Sequence, residues 1–75
     1  PLVLYIRSNE LRVVLPEGDH SRCRLSLYNL NGSLLATRDI NDDEPAFEIG
    51  LYPSGIYIVT LSKGAILQAG KIFIP

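Results

Sequence analysis

Apolar side chains recur at every second position in short runs, and a turn marker cuts each run off. A period of two puts alternate residues on opposite faces of an extended chain, so this pattern admits strands and excludes amphipathic helices. Leu2, Leu4 and Ile6 alternate with Val3, Tyr5 and Arg7 up to the pair Ser8-Asn9. Leu11, Val13 and Leu15 then alternate with Glu10, Arg12 and Val14, until Pro16, lacking an N–H, ends the run. Residues 17–21 read as a turn. Cys23, Leu25 and Leu27 follow as a core set against a solvent set of Arg22, Arg24, Ser26 and Tyr28.

Asn31-Gly32 predicts a type I′ hairpin turn, because both residues tolerate positive φ and stand between apolar runs. The returning strand covers residues 33–38. A helical start at Leu34-Leu35-Ala36 is the weaker alternative, since the turn dictates antiparallel pairing and no helix cap precedes it. An acidic loop over 39–44 closes at Pro45, and Phe47 and Ile49 share one face of a short strand that stops at Gly50. Leu51-Tyr52-Pro53-Ser54-Gly55 forms a turn in which Pro53 presets φ and Gly55 takes a shape other residues resist. Residues 56–61 are rich in β-branched and aromatic side chains and apolar on both faces except at Thr60, which predicts a central strand buried on both sides. Ser62-Lys63-Gly64 turns the chain into a last strand over 65–74. There Ile72 and Ile74 face one way, Lys71 and Phe73 the other, and Gly70 marks a bulge. About seven short strands at roughly 8–12-residue spacing predict an all-β, immunoglobulin-like β-sandwich of antiparallel strands. A chain of 75 residues has room for one such domain, residues 1–75.

Charge and composition narrow the function classes. Seven basic against eight acidic residues leave no basic stripe for phosphates, which argues against a nucleic-acid partner. No apolar run reaches the roughly 20 residues of a membrane span, and no signal-peptide pattern is visible. The start at Pro1 instead of Met suggests a piece of a longer chain. His20 is the only histidine and Cys23 the only cysteine. Neither general acid–base nor nucleophilic chemistry has a positioned pair, so the expectation is no catalytic residue, no cofactor, no metal and no small-molecule substrate.

Each remaining polar or aromatic group has a plain reading beside a sharper one. Asp39, Asp42, Asp43 and Glu44 offer oxygen ligands to Ca²⁺ but lack EF-hand spacing, and read as a solvated loop. His20 reads as an exposed turn residue. Cys23 reads as a small buried hydrophobe, with Arg22 and Arg24 the only hint of a reactive thiol. Asn31-Gly32-Ser33 matches a glycosylation acceptor, though the turn already accounts for Asn-Gly. Tyr5, Tyr28, Tyr52 and Tyr57 suit a sugar-stacking face if they gather, which defines the alternative of a carbohydrate-binding or adhesion module. A structural spacer between domains is a third reading. Lys71 reads either as a gatekeeper on an edge strand or as a recognition contact.

Three blocks in order complete the reading. They are Leu25-Ser26-Leu27-Tyr28-Asn29-Leu30-Asn31-Gly32, then Leu51-Tyr52-Pro53-Ser54-Gly55-Ile56-Tyr57, then Lys71-Ile72-Phe73-Ile74. The succession resembles the C-terminal sorting domain of the type IX (Por) secretion system, type A. It departs from that pattern at Arg7-Ser8-Asn9-Glu10, where Pro-Asn-Pro is common, at Ser33, where Lys or Gln is common, and at the Ile74-Pro75 end, where basic residues are common. The resemblance implies a signal that carries a cargo protein through the periplasm and across the outer membrane to the cell surface. It also implies cleavage there and anchoring to lipopolysaccharide. The implied partners are the outer-membrane machinery: translocon, shuttle and sortase-like protease. The implied recognition residues are Gly55, Tyr57, Lys71, Ile72, Phe73 and Ile74, with Asn31, Gly32 and Pro53 as structural turns. An apolar terminal strand also offers a route to a homodimer.

Overall fold

The computed structural model describes residues 2–15, 18, 22–40 and 45–75. The readings of Pro16, of His20, of Asp42, Asp43 and Glu44, and of most of the turn at 17–21 therefore lie outside the described residues. Seven strands are present among the described residues: β1 (Val3–Arg7), β2 (Glu10–Val14), β3 (Arg24–Asn29), β4 (Leu34–Asp39), β5 (Ala46–Glu48), β6 (Gly55–Lys63) and β7 (Ile66–Ile74). They form two antiparallel sheets, ordered β1-β2-β5 and β4-β3-β6-β7. The chain changes sheet between β2 and β3, between β4 and β5, and between β5 and β6, which makes an immunoglobulin-like β-sandwich. Its fourth strand lies beside β3, whereas in constant-type immunoglobulin domains the fourth strand belongs to the other sheet. The shortest dimension, 18 Å, fits two layers about 10 Å apart with side chains on both outsides.

The inner faces hold the alternation the sequence displays. Leu11 and Val13 of β2, Phe47 of β5, Leu25 and Leu27 of β3 and Val59 of β6 are the largest fully buried side chains. Each such side chain contributes about 1.5–3 kcal/mol by leaving water. Leu2, Cys23, Ile49, Tyr57, Leu61 and Ile74 complete the cluster, and Cys23 packs there as a free thiol. At one margin the Arg38 guanidinium lies 5.9 Å from the Phe47 ring centre and covers the largest fully buried side chain with a cation–π contact.

Several local expectations need correction. The type I′ geometry belongs to Ser8-Asn9, where φ is 53° and 61° and the flanking Arg7 and Glu10 pair directly. At the β3–β4 turn only Gly32 has positive φ (84°), and Asn31 does not. The Gly32 N–H donates to the Asn29 carbonyl (3.1 Å), and Asn29 Oδ1 accepts from the N–H groups of Asn31 and Ser33 (3.0 Å each). Asn29 thus fixes a three-residue loop with Gly32 in the left-handed position, and the adjoining ladder shifts register between Leu27 and Tyr28. The β6–β7 turn is Gly64-Ala65, since Ser62 and Lys63 still belong to β6.

β6 is central within its sheet, yet only Tyr57, Val59 and Leu61 are buried, while Ile56 is 42 % exposed. Two layers can cover one face of each sheet, and among the described residues no further layer covers the other. Ser26, expected toward solvent, is buried because Thr37 and Thr60 flank its small side chain on both sides. Gly70 is no bulge: it pairs with Val59 in an unbroken ladder. A Cβ at that position would lie 3.1 Å from the Leu2 carbonyl oxygen and 3.2 Å from Leu4 Cδ1. Glycine is there because β7 and the start of the chain approach closely across the sandwich.

Candidate functional site

The recognition residues expected from two distant blocks meet rung by rung. Gly55 pairs with Ile74, Ile56 with Phe73, Tyr57 with Ile72 and Ile58 with Lys71. The β6–β7 ladder therefore makes one site of segments more than a dozen residues apart in sequence.

Alternation then divides that site into two sets. Tyr57 and Ile74 are buried in the core and Ile72 is half-buried against it. The Tyr57 hydroxyl donates to the Pro53 carbonyl (2.7 Å), and its ring stacks on Tyr52 with centroids 5.8 Å apart and planes at 19°. A tyrosine near the start of β6 bonding back to the loop before it has the geometry of the tyrosine corner of immunoglobulin-like sandwiches. Gly55 leaves this loop at φ 152°, a backbone shape that favours glycine, with open space around its α-carbon. Gly55 and Tyr57, with Pro53, thus shape the loop that delivers the chain into β6. Lys71 and Phe73 point the other way, Phe73 being 60 % exposed, and β7 lies at the edge of its sheet.

The structure adds neighbours to this set, of which Tyr28 alone stood among the sequence candidates, as a sugar-stacking residue. On the same outer face as Lys71 and Phe73 lie Ile56 and Ile58 of β6, then Tyr28 opposite Ile58, then Leu34 opposite Tyr28. Period two carried this signal, because β6 is apolar at positions that the core does not use. Leu51, at the tip of the loop held by Tyr57, is almost wholly exposed.

The other candidates remain scattered. Tyr57 faces the core while Tyr28 lies on the opposite side of the same sheet, so the tyrosines gather into no sugar-stacking platform. Asp39 ends β4 in an ion pair with Arg24 (3.1 Å). Among the described residues, no group of three or more metal-ligating side chains is present, and no helix is long and apolar enough to cross a membrane.

Residues 3–75 fit the sequence model of the family described as the secretion system C-terminal sorting domain, while no curated protein matches the chain. The match spans all seven strands, including the β6–β7 ladder. The chain therefore belongs to the C-terminal sorting domain family and is a sorting signal of the type IX secretion system.

Proposed function

We propose that this domain is a type A sorting signal read as a folded body, with the outward side chains of β7, Lys71 and Phe73, as its legible part. It acts as an address without catalysing a reaction. The cargo passes through the periplasm, the translocon and its shuttle take up the folded domain, and a sortase-like protease removes it at the surface, where the cargo joins lipopolysaccharide. Membership of the sorting family supports export toward the cell surface and interaction with the secretion machinery in general.

One observation carries the assignment of the legible part. In the ladder joining the two blocks, the buried members hold the fold, and the exposed members lie on an edge strand. An edge strand presents backbone groups for β-augmentation and alternate side chains for specificity. The same edge admits the β7 of a second copy, which is the route to a homodimer.

A reporter fused to the domain tests the reading in strains with and without the translocon. Export is expected only with the translocon, and deletion of residues 71–75 is expected to abolish it. That deletion also removes the buried Ile74, so the deciding variant is the double substitution Lys71→Ser with Phe73→Thr, at two outward positions. It is expected to keep the melting temperature of the parent and to lose export. Normal export of the folded double variant would overturn the assignment.

A further inference from the structure

Near its Gly55 end, the outer face of the four-stranded sheet is apolar where a solvent face is ordinarily polar. Ile56 and Phe73 face each other on one rung, and Leu34, Tyr28, Ile58 and Lys71 follow one another across all four strands. Ile56, Leu34 and Phe73 are 42, 55 and 60 % exposed. Single exposed apolar residues need no explanation, but a contiguous group across neighbouring strands marks an interaction surface. Lys71 closes the row, and among the described residues no carboxylate forms an ion pair with it.

We infer that this face docks flat against a partner protein of the export apparatus whose surface is apolar and carries a carboxylate to meet Lys71. The inference rests on the sorting reading and extends it from the edge of β7 to the whole width of the sheet. Charge decides the occupant. A two-fold contact between copies, centred on the apolar rows, would set Lys71 against apolar side chains or against its own counterpart. The described carboxylate on this face, Asp39, stands opposite Arg24, four residues from Tyr28 along β3, about 13 Å away. It is already paired with Arg24 at 3.1 Å. Burying an ammonium without an anion is strongly unfavourable, so a second copy is a poor occupant. A different protein that supplies the anion removes that cost and gains the apolar area.

The test uses positions off β7, Ile56 on β6 and Leu34 on β4 at the opposite edge of the sheet, so that it separates flat docking from strand addition at β7. In the reporter fusion, Ile56→Thr and Leu34→Thr keep strand-compatible side chains at exposed positions and are expected to lower export at least about tenfold, as hot-spot losses do. Their melting temperatures should remain near the parent's. Val3→Thr, on the outer face of the other sheet, should leave export unchanged. Lys71→Arg should be exported and Lys71→Glu should not. Should Ile56→Thr fail to fold, Leu34→Thr carries the decision. Normal export of the folded Ile56→Thr and Leu34→Thr variants, alongside a defect in the β7 double variant, would overturn flat docking and leave the sorting reading intact. Export of the parent fusion regardless of the translocon would overturn both. Sedimentation of the purified chain should show no dimer that depends on this face, and a dimer that Ile56→Thr dissolves would assign the face to a second copy and overturn the inference.

Discussion

The two outer faces of the sandwich solve the same problem differently. On the β1-β2-β5 side, Arg7 stands opposite Glu10, Tyr5 opposite Arg12, and Glu10 opposite Glu48. Two carboxylates directly across a ladder repel, and Arg12 answers them with a 2.6 Å ion pair to Glu10. On the β4-β3-β6-β7 side, the corresponding positions near the Gly55 end hold Ile56, Ile58, Tyr28, Leu34 and Phe73 beside Lys71. The inner faces are alike, both apolar and both buried. Folding demands only the inner set, so the difference between the outer sets has to be explained by what each meets outside the chain. On the first face the charges around Glu10 are partly answered within the chain, with Val3 opposite Val14 as its exposed apolar pair, whereas the apolar group on the second face spans four strands.

The largest way to break the comparison is to remove the support that both faces share. Phe47 fills the space between the sheets from β5 and carries Arg38 over its ring. Phe47→Ala is expected to cost about 3–5 kcal/mol, a large fraction of the stability of a domain this size. Chemical denaturation of the purified chain measures it, and export should fall in step. A loss below about 1 kcal/mol would mean that the sheets do not depend on this contact.

A smaller effect is expected where β7 meets the chain's first residues. Gly70→Val places a branched side chain 3.1 Å from the Leu2 carbonyl oxygen, on the inner side of the strand that presents Lys71 outward. Overpacking of this kind costs about 1–3 kcal/mol. Thermal unfolding should show the loss, and an unchanged melting temperature would show that the N-terminal segment yields freely to the added side chain.

What was legible in the sequence follows the range of the physics involved. Alternation is local, so Leu11, Val13, Leu25, Leu27, Phe47 and Val59 were readable as core, and the seven-strand sandwich with them. Asn31-Gly32 by itself points to a type I′ turn, but the Asn29 carboxamide, two residues upstream, sets the loop. Ile56 and Ile58 were read as buried because an apolar strand looks the same whether one layer covers it or two. Gly70 was read as a bulge because the approach of Leu2 is set by sheet-to-sheet spacing, which no neighbouring residue encodes. At the site, the blocks at 55–57 and 71–74 were both visible. Their pairing, and the split into Tyr57 and Ile74 inside with Lys71 and Phe73 outside, required the register.

The smallest effect sharpens the contrast most, because it predicts a difference between two losses of positive charge. Arg12→Leu removes the cation beside Glu10 and leaves Glu10 opposite Glu48, with both partners of the lost pair only about one-third exposed. It is expected to cost about 1 kcal/mol in low salt, and less in about 1 M salt, where surface charges are screened. Lys71→Leu removes a charge that no carboxylate among the described residues pairs with and adds an apolar neighbour to Phe73 and Ile58. Its effect on stability should stay within about 0.5 kcal/mol and should not depend on salt. Paired urea titrations at the two ionic strengths give both numbers. If Lys71→Leu costs as much as Arg12→Leu and shows the same salt dependence, then Lys71 is already answered within the chain, and the asymmetry between the faces is one of hydropathy alone.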